Sequence, residues 1–214
     1  SNFIKFILNK YIMSWVLTTI KNIESFVYRY PLSKPVITSF GVMDNRPMLI
    51  LKITDNNGVY GWGEVWCNFP LTGAEHRAKL IDYVFQPLLA NFSIITPEKT
   101  YEYLVSKTKI LSIQSGEPGP IAQCIAGIDI AIHDLIGKIE NISLWKKFGG
   151  NKNIVPCYAS GINPTEPEVT VKDAIKKGYS SFKLKIGFGL KKDLGNIKRI
   201  KNILPENFSL MVDA

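Results

Sequence analysis

The stretch Phe182-Lys183-Leu184-Lys185-Ile186-Gly187, followed after a helical interval by Leu210-Met211-Val212-Asp213-Ala214, decides the fold of this chain. Each is a short apolar run of strand length, bounded by turn residues. Between them, 190–204 predicts a helix stopped by Pro205. Upstream the alternation continues, with a strand predicted over 155–160 and a helix over 165–177 that stops at Gly178. Strand, helix, strand, helix, strand with short links predicts parallel strands joined by right-handed crossovers. This opens a βα array that is too short for a complete eightfold (β/α) barrel of about 250 residues, so either the rest of the protein is missing or this is an unusual small fold.

Lys183, Lys185 and Asp213 are the candidate chemical residues, since barrel enzymes place their chemistry at the C-terminal ends of the strands. Lys183 and Lys185 are two apart, so their side chains share one face. If that face is the barrel interior, the two ammonium groups repel, which favours loss of a proton from one and supplies a neutral base. Asp213, at the end of the next strand, offers a hard oxygen ligand suited to Mg2+. Alternation equally permits lysines in solvent with Phe182, Leu184 and Ile186 buried, although a parallel barrel strand is covered on both faces. Asp213 taken alone is an ordinary helix cap, and Cys157 on the first expected strand reads as a small buried residue.

Ahead of the alternation, 20–30 is rich in β-branched and aromatic residues and is expected to end at Pro31, with a loop over 32–41. Two strands, 48–54 and 59–65, flank Asp55-Asn56-Asn57-Gly58, where Asn-Gly supplies the positive φ angles of a tight antiparallel hairpin. Helices follow: one capped by Thr72 and closed near Pro87, and one opening at Thr96-Pro97. In a third, Ile121, Cys124, Ile125, Ile128, Ile132, Leu135, Ile136 and Ile139 recur at helical spacing. Ser143 caps a short piece that ends at Gly149-Gly150. The organisation is therefore a leader over 1–19, an α+β module over 20–150 and the barrel start over 151–214. The leader is apolar, but Lys5, Asn9 and Lys10 interrupt it, so it reads as a disordered or artefactual segment before Met13 and neither as a membrane span nor as a signal peptide.

The excess of 26 Lys+Arg over 18 Asp+Glu is spread over separate helices as Lys146-Lys147, Lys176-Lys177 and Lys191-Lys192. That dispersion argues against nucleic-acid binding and suits a small anionic substrate. Three distant cysteines, Cys67, Cys124 and Cys157, form neither a zinc knuckle nor a disulfide framework, which points to a reducing, cytoplasmic setting.

Taken together, the Lys183-Leu184-Lys185 and Asp213-Ala214 strand ends resemble the Lys-x-Lys and Asp-Ala-Asn strand ends of the mandelate racemase/muconate lactonising enzyme family of the enolase superfamily. Gly127–Lys138, with Ser143-Leu144 and Phe148-Gly149, is similar to that family's other signature, and Gly58-Val59-Tyr60-Gly61-Trp62-Gly63-Glu64 resembles the hairpin of its capping domain. Cys124 and Lys147 depart from the family's usual Ala and Leu, and both read as packing changes. The resemblance implies an α+β capping domain followed by the first strands and helices of a barrel. It implies a Mg2+ site that holds the substrate carboxylate while a base removes the proton α to it. Lys185 would be that base, Lys183 would hold down its basicity and contact the carboxylate, and Asp213 would be the first of three metal ligands. The other ligands and the second acid/base would lie beyond Ala214, which makes this chain alone an inactive fragment. Substrate choice would belong to loops at about 32–41 and 66–73, with Trp66 and Phe69 lining the pocket. Lys185 to Gly189 with Asp193-Leu194 looks like members acting on sugar acids and their lactones. The implied partners are a small carboxylate and, at full length, further copies of the same chain.

Two other readings fit the residues. Lys183 or Lys185 could attack a carbonyl as a Schiff-base lysine, or the chain could be a non-catalytic product whose exposed third strand serves association. His76 and His133, on expected helices, take solvated or capping roles, and Asp129 and Asp134 make structural hydrogen bonds.

Overall fold

A computed structural model describes residues 18–38 and 41–213. The chain divides into two compact units, Pro47–Asn151 with the chain up to Arg29, and Lys152–Ala214 with the segment Tyr30–Arg46. The leader lies outside the described residues up to residue 17; Thr18 and Thr19 already belong to a strand.

The first sheet has four strands: β1 (Thr18–Thr38), β2 (Gly41–Asp55), β3 (Tyr60–Val65) and β4 (Ser93–Ile94), in the order β3-β2-β1-β4. The loop expected over 32–41 is instead strand as far as Thr38 and again from Gly41. Pro31 and Pro35 suggested a break, but β4 pairs only with Thr18 and Thr19. The rest of that edge of β1 has no strand beside it among the described residues, and a proline directed to an open edge removes no ladder bond.

β2 and β3 pair antiparallel from Leu49↔Val65 to Thr54↔Tyr60, as the hairpin pattern predicts. The turn itself differs. Gly58 has φ +83 while neither asparagine has positive φ, so the loop is the three-residue kind with a left-handed glycine, not a two-residue turn. The buried Asp55 carboxylate organises it, accepting from the backbone N–H of Asn57 and of Val59 at 2.9 Å each and from the Thr18 hydroxyl at 2.7 Å.

Helix α1 (Gly73–Leu80) runs through a π turn (Ile81–Phe85) into α2 (Gln86–Leu89), so Pro87 does not close it. A proline ring clashes with the carbonyl four residues back, and a widened turn is one way to accommodate it. α3 (Pro97–Ser115) starts where expected, with Thr96 Oγ1 accepting from the Lys99 N–H at 3.2 Å. α4 (Pro118–Ile139) is long and apolar enough to cross a membrane, but half of that stretch is buried. Its apolar stripe packs with Ile20, Leu49, Leu51, Ile53, Val65 and Phe85 in the core of this unit. α5 (Leu144–Lys147) ends the unit near Gly149.

Close approach of α4 to β3 depends on glycine. A Cβ on Gly61 would stand 2.0 Å from the Ala131 carbonyl oxygen, and one on Gly63 equally near that of Gly127. α4 also covers the open edge of β3. Asp134 accepts the Trp62 N–H at 2.7 Å, and Lys138 donates to the Tyr60 carbonyl at 3.0 Å and to Asp134 at 2.7 Å.

The second unit holds a three-stranded parallel sheet in the order β5 (Ala159–Ile162), β6 (Ser181–Lys185), β7 (Ser209–Asp213), joined through α6 (Pro167–Lys176) and α7 (Leu190–Lys201). The first strand falls later than 155–160 because Pro156 lies inside that run and cannot donate to a ladder. Ile154 and Val155 are exposed, and so is Cys157, contrary to the buried cysteine expected there.

Candidate active site

The alternation in β6 settles which way its lysines face. Phe182 and Leu184 are fully buried, packing with Ile162, Val171, Ala174 and Ile200 from β5 and the two helices. Lys183 and Lys185 are therefore on the face of the sheet opposite the helices, where both are half-buried. In a (β/α) barrel the helices form the outer ring and that opposite face is the interior.

Parallel register brings Asp213 beside this pair. Lys185 is opposite Asp213, Lys183 is opposite Met211, and the Ile186 N–H donates to the Asp213 carbonyl at 2.8 Å. Lys183 Nζ is 3.3 Å from Asp213 Oδ2. It also lies 5.2 Å from the ring centroid of Tyr158, the residue just before β5, and shares a hydrogen bond with that side chain. The Tyr158 contact first and the Asp213 contact second hold the Lys183 amine above its ordinary pKa. Repulsion between the lysines was expected to lower it; the two oxygen partners raise it instead, against a smaller lowering by desolvation. A Lys183 kept charged is a poor Schiff-base nucleophile. Lys185 has no ion-pair partner among the described residues, so its amine is not committed to Asp213 as that of Lys183 is.

Beyond β6 the chain turns sharply into α7 through Gly187 (φ +99) and Gly189 (φ +101). Asp193 secures this turn by accepting from the Gly187 N–H at 3.1 Å and the Phe188 N–H at 3.3 Å. The strand end carrying Lys185 thus opens onto a short loop fixed by its own helix.

Asp213 is about half-exposed and its position at a strand end fits one hard-oxygen ligand of a Mg2+ site. Among the described residues, no group of three His, Cys, Asp or Glu side chains could hold a metal ion. Trp66, exposed, and Phe69, partly buried, belong to the first unit, on the segment between β3 and α1. The histidines are also in that unit: His76 Nε2 is 3.0 Å from Glu117, and His133 Nε2 is 3.9 Å from Asp129. Tyr158 was missed by sequence reasoning; an aromatic residue at the entry of a strand carries no signal of its neighbour two strand positions into the next.

Residues 20–149 match the family model described as the mandelate racemase/muconate lactonizing enzyme N-terminal domain. A crystal structure of a mandelate racemase/muconate lactonizing enzyme from Bordetella bronchiseptica superposes with TM-score 0.85 at 40% identity, covering 93% of this chain and 52% of that one. A racemase from Streptomyces coelicolor, solved with bound magnesium, gives TM-score 0.82 at 26% identity over 91% of this chain and 55% of that one. The 3,6-anhydro-alpha-L-galactonate cycloisomerase of the same species is 28% identical over 91% of this chain and 54% of its own length. The curated relatives include a racemase, epimerases, cycloisomerases and a dehydratase. This chain spans about half the length of the curated relatives it matches. The matched capping module, the barrel strands that follow it and the paired strand-end lysines together place the chain in the mandelate racemase/muconate lactonizing enzyme family of the enolase superfamily, and it belongs to that family.

Proposed function

We propose that the protein containing this chain removes the proton α to a carboxylate of a small hydroxy or sugar acid, with Mg2+ as its cofactor, in a racemisation, cycloisomerisation or dehydration. The observation that carries this reading is the register of β6 with β7, which sets Lys185 beside Asp213 on the helix-free face while Lys183 is fixed against the Asp213 carboxylate.

The roles follow from what each group has available. Lys185, with no ionic partner among the described residues, takes the α-proton onto Nζ. Lys183, held in its charged form, donates to a substrate carboxylate oxygen and orients the α-carbon toward Lys185. Asp213 provides one metal ligand. Mg2+, when bound, supplies positive charge that offsets the negative charge left on the carboxylate as the proton departs. Trp66 and Phe69 are assigned to substrate selection. The magnesium in the Streptomyces coelicolor racemase supports the cofactor.

The test is proton NMR in D2O with Mg2+, following loss of the α-proton signal across hydroxy acids, sugar-acid lactones and N-acylated amino acids. Lys185→Ala is expected to slow exchange of the accepted substrate by about 10³-fold or more. Exchange that persists in that variant would remove Lys185 as the base and this reading with it.

A further inference from the structure

Arg29, in β1, reaches the segment that joins β3 to α1. Its Nη2 donates to the Leu71 carbonyl at 2.7 Å. Nε and Nη2 also donate to the Glu75 carboxylate, at 3.1 and 2.6 Å to Oε1. Leu71 is the last residue before Thr72, which stands at the N-cap position of α1 without making a side-chain cap bond. Glu75 lies in the first turn of that helix. The junction of segment and helix is therefore held from outside, at two points, by one guanidinium.

The other end of the segment is fixed by packing. Cys67 is buried, and Gly73 is so close to it that a Cβ there would meet the Cys67 carbonyl oxygen at 3.0 Å. Arg77, also buried, donates to Gln123 of α4 at 2.9 Å through Nε and makes a longer contact, 3.4 Å, to the Gly73 carbonyl. Asn68, Phe69 and Pro70 thus span between an anchored Cys67 and an anchored Leu71, with Trp66 next to the first anchor.

We propose that Arg29 is a positioning residue for substrate selection: by holding Leu71 and Glu75 it sets where Phe69 stands. This rests on the assignment of Phe69 to substrate selection made above. The clamp is partly solvated, with side-chain exposure of 35% for Arg29 and 48% for Glu75, so it contributes little to global stability. Its effect is local. The planar guanidinium meets a carboxylate with two N–H groups while also serving a carbonyl, a pattern that a lysine ammonium does not reproduce.

The experiment compares Arg29→Gln, Arg29→Lys and Glu75→Gln with the parent in the full protein, by backbone amide exchange and by steady-state kinetics on the substrate found in D2O. Arg29→Gln is expected to speed exchange over 66–73 by roughly tenfold while α4 is unchanged. It is expected to raise KM by roughly tenfold with kcat within about threefold, the signature of lost substrate binding without lost chemistry. Glu75→Gln, which spares the Leu71 bond, and Arg29→Lys fall between parent and Arg29→Gln. Unchanged exchange over 66–73 would overturn the proposal, and so would a loosened segment with unchanged KM. Failure of the functional reading is distinguishable: it shows as Lys185→Ala retaining α-proton exchange, whatever the Arg29 variants do.

Discussion

The two units use the faces of their sheets differently. In the first, β2 buries Leu49, Leu51 and Ile53 completely, and its remaining carboxylate on that face, Asp55, is satisfied by backbone N–H groups and the Thr18 hydroxyl. In the second, the helices cover Phe182 and Leu184, and the opposite face carries Lys183, Lys185 and Asp213. Parallel sheets are ordinarily covered on both faces, so ionisable groups on one face of β6 and β7 do not serve core packing. The larger apolar core is in the first unit, and the candidate chemical residues are in the second. Substitutions should separate the two: changes in the first unit should move melting and leave the lysine chemistry in place, whereas Lys185→Ala should abolish exchange with little effect on folding.

The largest expected effect on stability comes from the contact of β3 with α4. On Gly61 a Cβ would meet the backbone of Ala131 at 2.0 Å and that of Leu135 at 2.5 Å. Backbone atoms of a core helix cannot rotate away, so Gly61→Ala must push α4 off the sheet. We expect it to destabilise by about 3 kcal/mol or more, at or beyond the upper end of ordinary overpacking, measured by urea unfolding. A loss under about 1 kcal/mol would mean that α4 repacks easily, and the close contact of α4 with β3 would not be what holds the first unit together.

Asp55→Ala is the next in size. It leaves the Asn57 and Val59 N–H groups and the Thr18 hydroxyl without their shared acceptor. The expected cost is about 2 kcal/mol, that of leaving the buried Thr18 hydroxyl and two partly buried N–H groups without their acceptor. Asp55→Asn, which keeps one oxygen, should recover part of it. Equal losses in both would show that charge, not the hydrogen-bond pattern, holds the turn.

How much of this was legible in the sequence depends on whether a local pattern decides the outcome. The stripe on α4 did, because eight apolar residues at helical spacing have only one side to bury. Parallel strand order was legible from the alternation of elements, and so was the pairing of β2 with β3. The extent of β1 was not, since prolines mark loops unless the strand has an open edge, and edges are tertiary facts. Pro87 misled for a related reason: the π turn that carries the helix past it has no local signature. At the site, sequence placed Lys183, Lys185 and Asp213 on neighbouring strand ends. It misjudged Lys183, because the oxygens of Tyr158 and Asp213 that hold it charged come from other strands or their approaches. The Arg29 clamp was likewise unreadable, with 42 and 46 residues separating Arg29 from its partners.

That clamp makes the smallest expected contribution to stability, and its pH dependence tests it most directly. The hydrogen bond from Arg29 holds the Glu75 carboxyl below the ordinary glutamate range. A carboxylate whose folded pKa is depressed stabilises fully above its unfolded value, about 4.3, and that stabilisation is lost as pH falls through the lower folded value. Because the pair is partly solvated, the difference in unfolding free energy between parent and Glu75→Gln should stay below about 1 kcal/mol at neutral pH. It should shrink steadily as pH falls below about 4.3, and also with added salt, since the Debye length drops to about 3 Å at 1 M. Arg29 plays no part in this titration, because its own pKa is raised from an already high value. A difference that grows on acidification would mean that Glu75 is strained in its charged form, and the guanidinium would then be tolerated by the segment instead of positioning it.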